Sequence, residues 1–225
     1  MTFNGPDGGD FENVAALNLA YLSLVRRDPA VRPDPRLDPA AVCERIADLD
    51  ARQVRRLATT PLLLFSFRED DERYWTRILE APPVRDLFSI QGHRDIDTLV
   101  SAALGFLWQL ARRNPYALRL ISGATLYWCE RIAEQTFYPL LSAVRQNAAI
   151  PAPRLADDAA FWSALLEQGT SPREDARHAA QFGALQAILT RPRTDGGQSL
   201  LPRAAKTMRP PVCRVAAANE PRGDS

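Results

Sequence analysis

The chain has 225 residues, room for one large or two small domains, and 46% of them are hydrophobic, enough to pack a core. Its 28 basic and 27 acidic residues leave a net charge of +1, which excludes a surface that is basic overall. All the basic residues except Lys206 are arginine, a coding bias rather than a sign of nucleic-acid binding.

Cys43, Cys129 and Cys213 are odd in number, widely spaced and without a CxxC pair, which fits reduced thiols in a cytoplasmic protein rather than a disulfide framework. The first ten residues, MTFNGPDGGD, have neither a basic region nor an apolar core, so no signal peptide is expected. The longest uncharged stretch, Thr98 to Ala111, is shorter than the roughly 20 residues a membrane helix needs, so no membrane contact is expected.

Taken in order, Asp10 is the expected cap of a helix over 11–27, in which Val14, Leu17, Tyr21 and Leu24 form an apolar stripe. Asn18 lies at the edge of that stripe and reads as an amide bonded to backbone. After a proline-rich loop, Pro39 suits the first turn of a helix carrying Val42, Cys43 and Ile46 inward. Asp50 and Gln53 have the spacing of a capping box for a third helix, which Pro61 ends.

Residues 62–67 are a continuous apolar run of strand length, and no second strand is legible. A buried strand must satisfy its backbone groups, and an unpaired edge is a template for another chain. A homodimer is therefore expected, with Leu17, Tyr21, Leu62, Leu63, Leu64, Phe65 and Phe67 at its interface. Asp70 is the expected cap of a helix over 71–80, with Tyr74, Trp75, Ile78 and Leu79 inward and Arg73 and Arg77 outward. Pro82-Pro83 separates it from a short helix carrying Val84, Leu87 and Phe88. Arg68, Arg73, Arg77 and Arg85 on such a pair are candidate DNA or partner contacts, as in a helix-turn-helix reader; plain core packing is the competing reading.

A long helix is expected over 95–113, and Asn114-Pro115 opens another to about residue 146, interrupted at Ser122-Gly123 and Pro139. An amphipathic helix over 157–168 follows, and Ser171 to Glu174 read as a capping box for a last helix to about residue 190. Residues 191–225 lack periodicity and are expected to be disordered. Seven basic and three acidic residues put +4 on this tail and leave −3 on the rest.

No glycine cluster opens a helix, no GxSxG or HExxH is present, and His93 and His178 stand far apart without paired cysteines. Cys129 with His178 could be a thiol and a base, but the surrounding helix is apolar and a buried structural thiol is the preferred reading. No enzyme, cofactor or metal site is expected.

Asn18 to Leu24 (N-L-x-Y-L-x-L), Arg56 to Thr60 (R-L-A-T-T), Phe67 to Asp70 (F-R-x-D) and Val84-Arg85-Asp86-Leu87 carry a resemblance to FlhD, the flagellar transcriptional activator subunit, over roughly residues 12–95. The resemblance implies a small helical homodimer that acts with an FlhC-like partner, which makes most of the DNA contact. In FlhD proteins a cysteine of the strand-like segment can bridge the dimer; Phe65 stands at the matching position. FlhD proteins also end near the helix-turn-helix-like region, whereas this chain continues for about a hundred residues. The expected fold is all-α: an FlhD-like dimerisation and regulatory domain with one short strand over 1–93, a helical C-terminal domain over 94–190, and a tail over 191–225. The alternative is a helical protein–protein adaptor that makes no DNA contact.

Overall fold

An apolar run threaded through a shell of helices organises the chain. The computed structural model describes residues 5–28, 39–80, 94–147 and 151–191. In order, these form α1 (Gly8–Arg27), α2 (Pro39–Ala47), α3 (Ala51–Ala58), β1 (Phe65–Ser66), α4 (Glu72–Glu80), α5 (Arg94–Arg113), α6 (Pro115–Ser122), α7 (Leu126–Ala133), α8 (Phe137–Asn147), β2 (Ala152–Pro153), α9 (Ala159–Glu167) and α10 (Glu174–Thr190). The all-α expectation holds, with β1 and β2 as a minimal antiparallel ladder, Phe65 opposite Pro153 and Ser66 opposite Ala152. Among the described residues no helix is long and apolar enough to cross a membrane. The loop over 29–38, the helix expected around Val84 to Phe88 with Arg85, and the tail from 192 onward lie outside the described residues.

Local chemistry sets the helix ends. Asp7, not Asp10, caps α1: the Asp10 N–H donates to Asp7 at 2.9 Å and the Asp7 N–H donates back to Asp10 at 3.0 Å. This reciprocal box starts α1 at Gly8, earlier than the expected residue 11. Asp50 and Gln53 form the expected box on α3, and the Gln53 N–H holds the Asp50 carboxyl below the usual carboxylate range. Asn114 caps α6 through the Ala117 N–H, with Pro115 in the first turn.

The long helix expected over 115–146 is three helices. Gly123 breaks it in the left-handed region, at φ 67°, but the second break falls at 134–136 and Pro139 sits in the first turn of α8, where a missing N–H costs nothing. The capping box expected at Ser171 does not form. Ser171 Oγ accepts from the Arg173 N–H instead, and α10 starts at Glu174 without a side-chain cap.

At Gly123 an added Cβ would lie 3.1 Å from the Ile188 Cβ. Gly123→Ala is therefore expected to lower stability by at least about 1–2 kcal/mol, the cost of the left-handed conformation alone. Gly183, inside α10 with nothing within 4 Å of an added Cβ, gives the opposite expectation: Gly183→Ala stabilises by up to about 1 kcal/mol. Urea denaturation of both variants checks the pair, and equal signs would refute the contrast.

The strand is corrected in length, partner and surroundings. Regular pairing covers Phe65–Ser66, not 62–67, and its partner is β2 of the same chain. The rest of the run is satisfied by side chains and a turn. Asn18 Nδ2 donates to the Leu62 carbonyl at 2.9 Å and the Thr60 carbonyl at 3.2 Å, and Asn18 Oδ1 accepts from the Leu64 N–H at 2.9 Å. The Leu63 N–H donates to the Ile121 carbonyl at 3.0 Å, and the Arg154 N–H to the Leu64 carbonyl at 2.9 Å.

The Arg154 guanidinium closes the other side. Nε donates to the Leu63 carbonyl at 2.6 Å, one Nη to the Ser122 carbonyl, and the other to the Phe65 carbonyl at 2.6 Å and Glu69 at 3.0 Å. Arg154 is 5% exposed and Glu69 4%. Glu69 also accepts from Ser66 Oγ, and the Trp162 indole N–H donates to the Arg154 carbonyl at 2.7 Å.

The carbonyls of Leu62, Leu63, Leu64 and Phe65 and the N–H groups of Leu63 and Leu64 are thus met within one chain, so the run has an intrachain partner where a second chain was expected. Leu17, Tyr21, Leu62, Leu63, Leu64, Phe65 and Phe67, expected at a dimer interface, are buried in the chain's own core. The Tyr21 and Phe65 rings pack with centroids 5.0 Å apart, and burial pushes the Tyr21 phenol well above its ordinary range. Asn18 is bonded to backbone as expected, but in the core rather than at an interface.

The described residues, on both sides of the boundary expected between 93 and 94, belong to one compact unit. α1 packs on α2, α3 and α5, α4 on α8, and α2 on α9. Arg113 near the end of α5 reaches both Asp7 and Asp10 at the start of α1. The second unit, 194–225, lies outside the described residues.

Candidate interaction surface

α4 is set by the tight turn that follows β1. Arg68 takes a left-handed backbone, φ 62°, with its N–H on Ser66 Oγ at 2.9 Å, and the Asp71 N–H returns to the Arg68 carbonyl at 2.9 Å. Asp71, one residue later than the expected Asp70, meets the first turn of the helix by accepting from the Tyr74 N–H at 2.9 Å. The helix is anchored from inside. Trp75 donates its indole N–H to the Arg68 carbonyl at 3.1 Å and meets Trp128 edge-on at 5.2 Å. Ile78 is buried beside Trp75, and Arg131 of α7 donates to Thr76 Oγ1 at 3.0 Å.

Spacing of 3.6 residues per turn then turns the charged residues outward. Of the four arginines picked out by sequence, the structure brings three together. Arg68, whose side chain is 53% exposed, pairs with Asp71 at 2.7 Å and lies 4.8 Å above the Tyr74 ring. Arg77 lies 5.9 Å from the same ring. Burial pushes the Tyr74 phenol up, against the opposing effect of Arg68 and Arg77. Arg73 and Arg77, with Glu72, Thr76 and Glu80, line a groove of about 570 Å³. Arg85 lies outside the described residues.

Arg73 and Arg77 are matched on α4 by Glu72 and Glu80, and in the turn before it Arg68 is paired with Asp71 beside the exposed Asp70, so this surface has no net positive charge. Counterion release from DNA needs clustered positive charge. A balanced, patterned surface is suited to a protein surface of complementary pattern, where charges give register more than raw affinity.

Sequence reasoning missed the pair Arg154 and Glu69. Arginine and glutamate are the types expected at a surface, and nothing in Pro151-Ala152-Pro153-Arg154 marks the guanidinium as buried. Cys43 and Cys129 are buried thiols; His178 is exposed beside Glu174, at 3.7 Å, on the surface of α10. Among the described residues no group of three or more His, Cys, Asp or Glu side chains is placed to hold a metal ion. No family model, curated protein or solved structure matches the chain.

Proposed function

We propose that this chain is a non-enzymatic, cytoplasmic regulatory subunit that works by binding another protein through the outer face of α4. The observation that carries the reading is the charge pattern of that face: Arg73 and Arg77 beside Glu72 and Glu80 on a helix anchored by Trp75 and Ile78, with the Arg68–Asp71 pair and the exposed Asp70 in the turn before it. Such a face discriminates between protein partners by charge register and offers little to a phosphate backbone. The FlhD resemblance of residues 12–95 supplies the specific form: a transcriptional subunit whose FlhC-like partner makes most of the DNA contact. The adaptor that never meets DNA shares the α4 face and differs in what its partner does.

The test is a titration of the purified chain against duplex DNA from its own promoter regions at physiological salt. The expected result is weak, non-specific binding, no tighter than about 10⁻⁶ M, falling steeply as salt rises. Sequence-specific retention that appears on adding an FlhC-like protein supports the transcriptional form; persistently weak binding with that protein present supports the adaptor. Tight, competitor-resistant binding by the chain alone would overturn the protein-binding reading of α4.

A further inference from the structure

The charges on α4 are ordered in rows. Glu72, Thr76 and Glu80 stand four residues apart and make one line along the groove, and Arg73 and Arg77 make a second line beside it. An isolated surface helix gains from the opposite arrangement, Glu four residues before Arg, and loses when like charges stand four apart. Arg73 and Arg77 stand so here. Glu72, Arg73, Arg77 and Glu80 are all exposed, and none is in an ion pair with a described residue. Within the helix Arg73 with Arg77 is unfavourable and Arg77 with Glu80, three residues on, is favourable; the two rows together are complementary to a surface with the same two rows in reversed left-to-right order.

A second copy of the chain has that surface. A two-fold axis running parallel to the helices reverses left and right, so it sets each acidic row opposite the other copy's basic row. A two-fold axis across the helices keeps left and right and sets acid against acid. We propose that the α4 face is a self-association surface on which two copies pair with their α4 helices parallel, Glu72 and Glu80 of each opposing Arg73 and Arg77 of the other. This rests on the reading of α4 as the binding face and adds a second copy of the chain as an occupant, which competes there with a different protein. It also places self-association at a surface separate from Leu62 to Phe67, which the core consumes.

Light scattering over a concentration series, without DNA or another protein, tests it. The parent chain is expected to rise from the mass of one chain toward that of two. Arg73→Glu with Arg77→Glu makes the face wholly acidic, and Glu72→Arg with Glu80→Arg makes it wholly basic. Each double variant alone should raise the dimer dissociation constant by at least about tenfold, since favourable pairs become repulsive. Mixed one to one, the two should regain a two-chain mass, and the variant with all four changes should dimerise alone.

All four side chains are exposed, so circular dichroism should not change, and recovery on mixing shows that both double variants are folded. A parent that stays a single chain at about 1 mM, the weak limit of useful affinity, overturns the proposal. So do double variants that dimerise like the parent, or a mixture that does not recover. Because no DNA is present, such a failure removes the second copy and leaves the protein-binding reading of α4 to the DNA titration.

Discussion

Arg154→Met is expected to destabilise the chain by about 3–5 kcal/mol, the range for removing one partner of a buried ion pair. Whole domains are stable by only about 5–15 kcal/mol, so the variant should be partly unfolded under mild conditions. Methionine fills much of the same volume and removes the fork. Glu69, 4% exposed, then keeps a carboxylate whose remaining donor is Ser66 Oγ. The carbonyls of Leu63, Phe65 and Ser122 each lose a charge-assisted donor.

Arg154→Lys should recover little, because one ammonium with three hydrogens cannot reach oxygens spread across a planar five-donor fork. Arg154→Met combined with Glu69→Met should be more stable than Arg154→Met alone, since the stranded charge is gone. Urea denaturation of the three variants measures this. A cost below about 1 kcal/mol for Arg154→Met would mean that the three carbonyls have other donors, such as water.

The division between what the sequence made legible and what it hid follows from what periodicity encodes. A 3.6-residue repeat tells which side chains are buried on a helix, and the inner faces of α1, α2 and α4 came out as expected: Val14, Leu17, Tyr21 and Leu24; Val42, Cys43 and Ile46; Tyr74, Trp75 and Ile78, with Leu79 half-buried against the core. It does not tell which chain does the burying. Leu62 to Phe67 read correctly as a run that must be covered and wrongly as one that another copy covers.

Its true partner lies far along the chain in Ala152–Pro153, two residues of which one is proline, with no β-branched or alternating signal. The outward face of α4 was legible because Trp75 and Ile78 fix the inward one. Helix ends were legible to within a few residues. At α1, Asp7 and Asp10 both have cap chemistry, and their reciprocal bonds make Asp7 the cap, with Arg113, more than a hundred residues away in the chain, reaching both carboxylates.

Asn18→Ala is expected to cost at least about 3 kcal/mol, because it orphans several groups in one step, each at about 1–3 kcal/mol when buried. Asn18 has no exposed surface. Its two amide hydrogens serve the Leu62 and Thr60 carbonyls, with a longer shared contact to Ala58 at 3.4 Å, and its oxygen takes the Leu64 N–H. One side chain of α1 thereby fixes both the exit of α3 and the start of the threaded run.

Asn18→Asp keeps the shape and the acceptor while deleting the amide donors, and it adds a pH signature. Burial and the surrounding carbonyl oxygens both disfavour the charged form, so the introduced carboxyl is held above the ordinary carboxylate range in the folded chain. A raised folded pKa gives stability that is fully present below the unfolded pKa of about 3.9 and is lost as pH rises through the folded value. The protonated acid can still donate to the Leu62 carbonyl. The difference in stability between the parent and Asn18→Asp should therefore widen from pH 4 to pH 8, whereas for Asn18→Ala it should stay level. Thermal midpoints of the three proteins across that range measure it. A gap for Asn18→Asp that narrows with rising pH would show that the introduced carboxylate is better accommodated than the acid, and that the carbonyls of Thr60 and Leu62 do not face it.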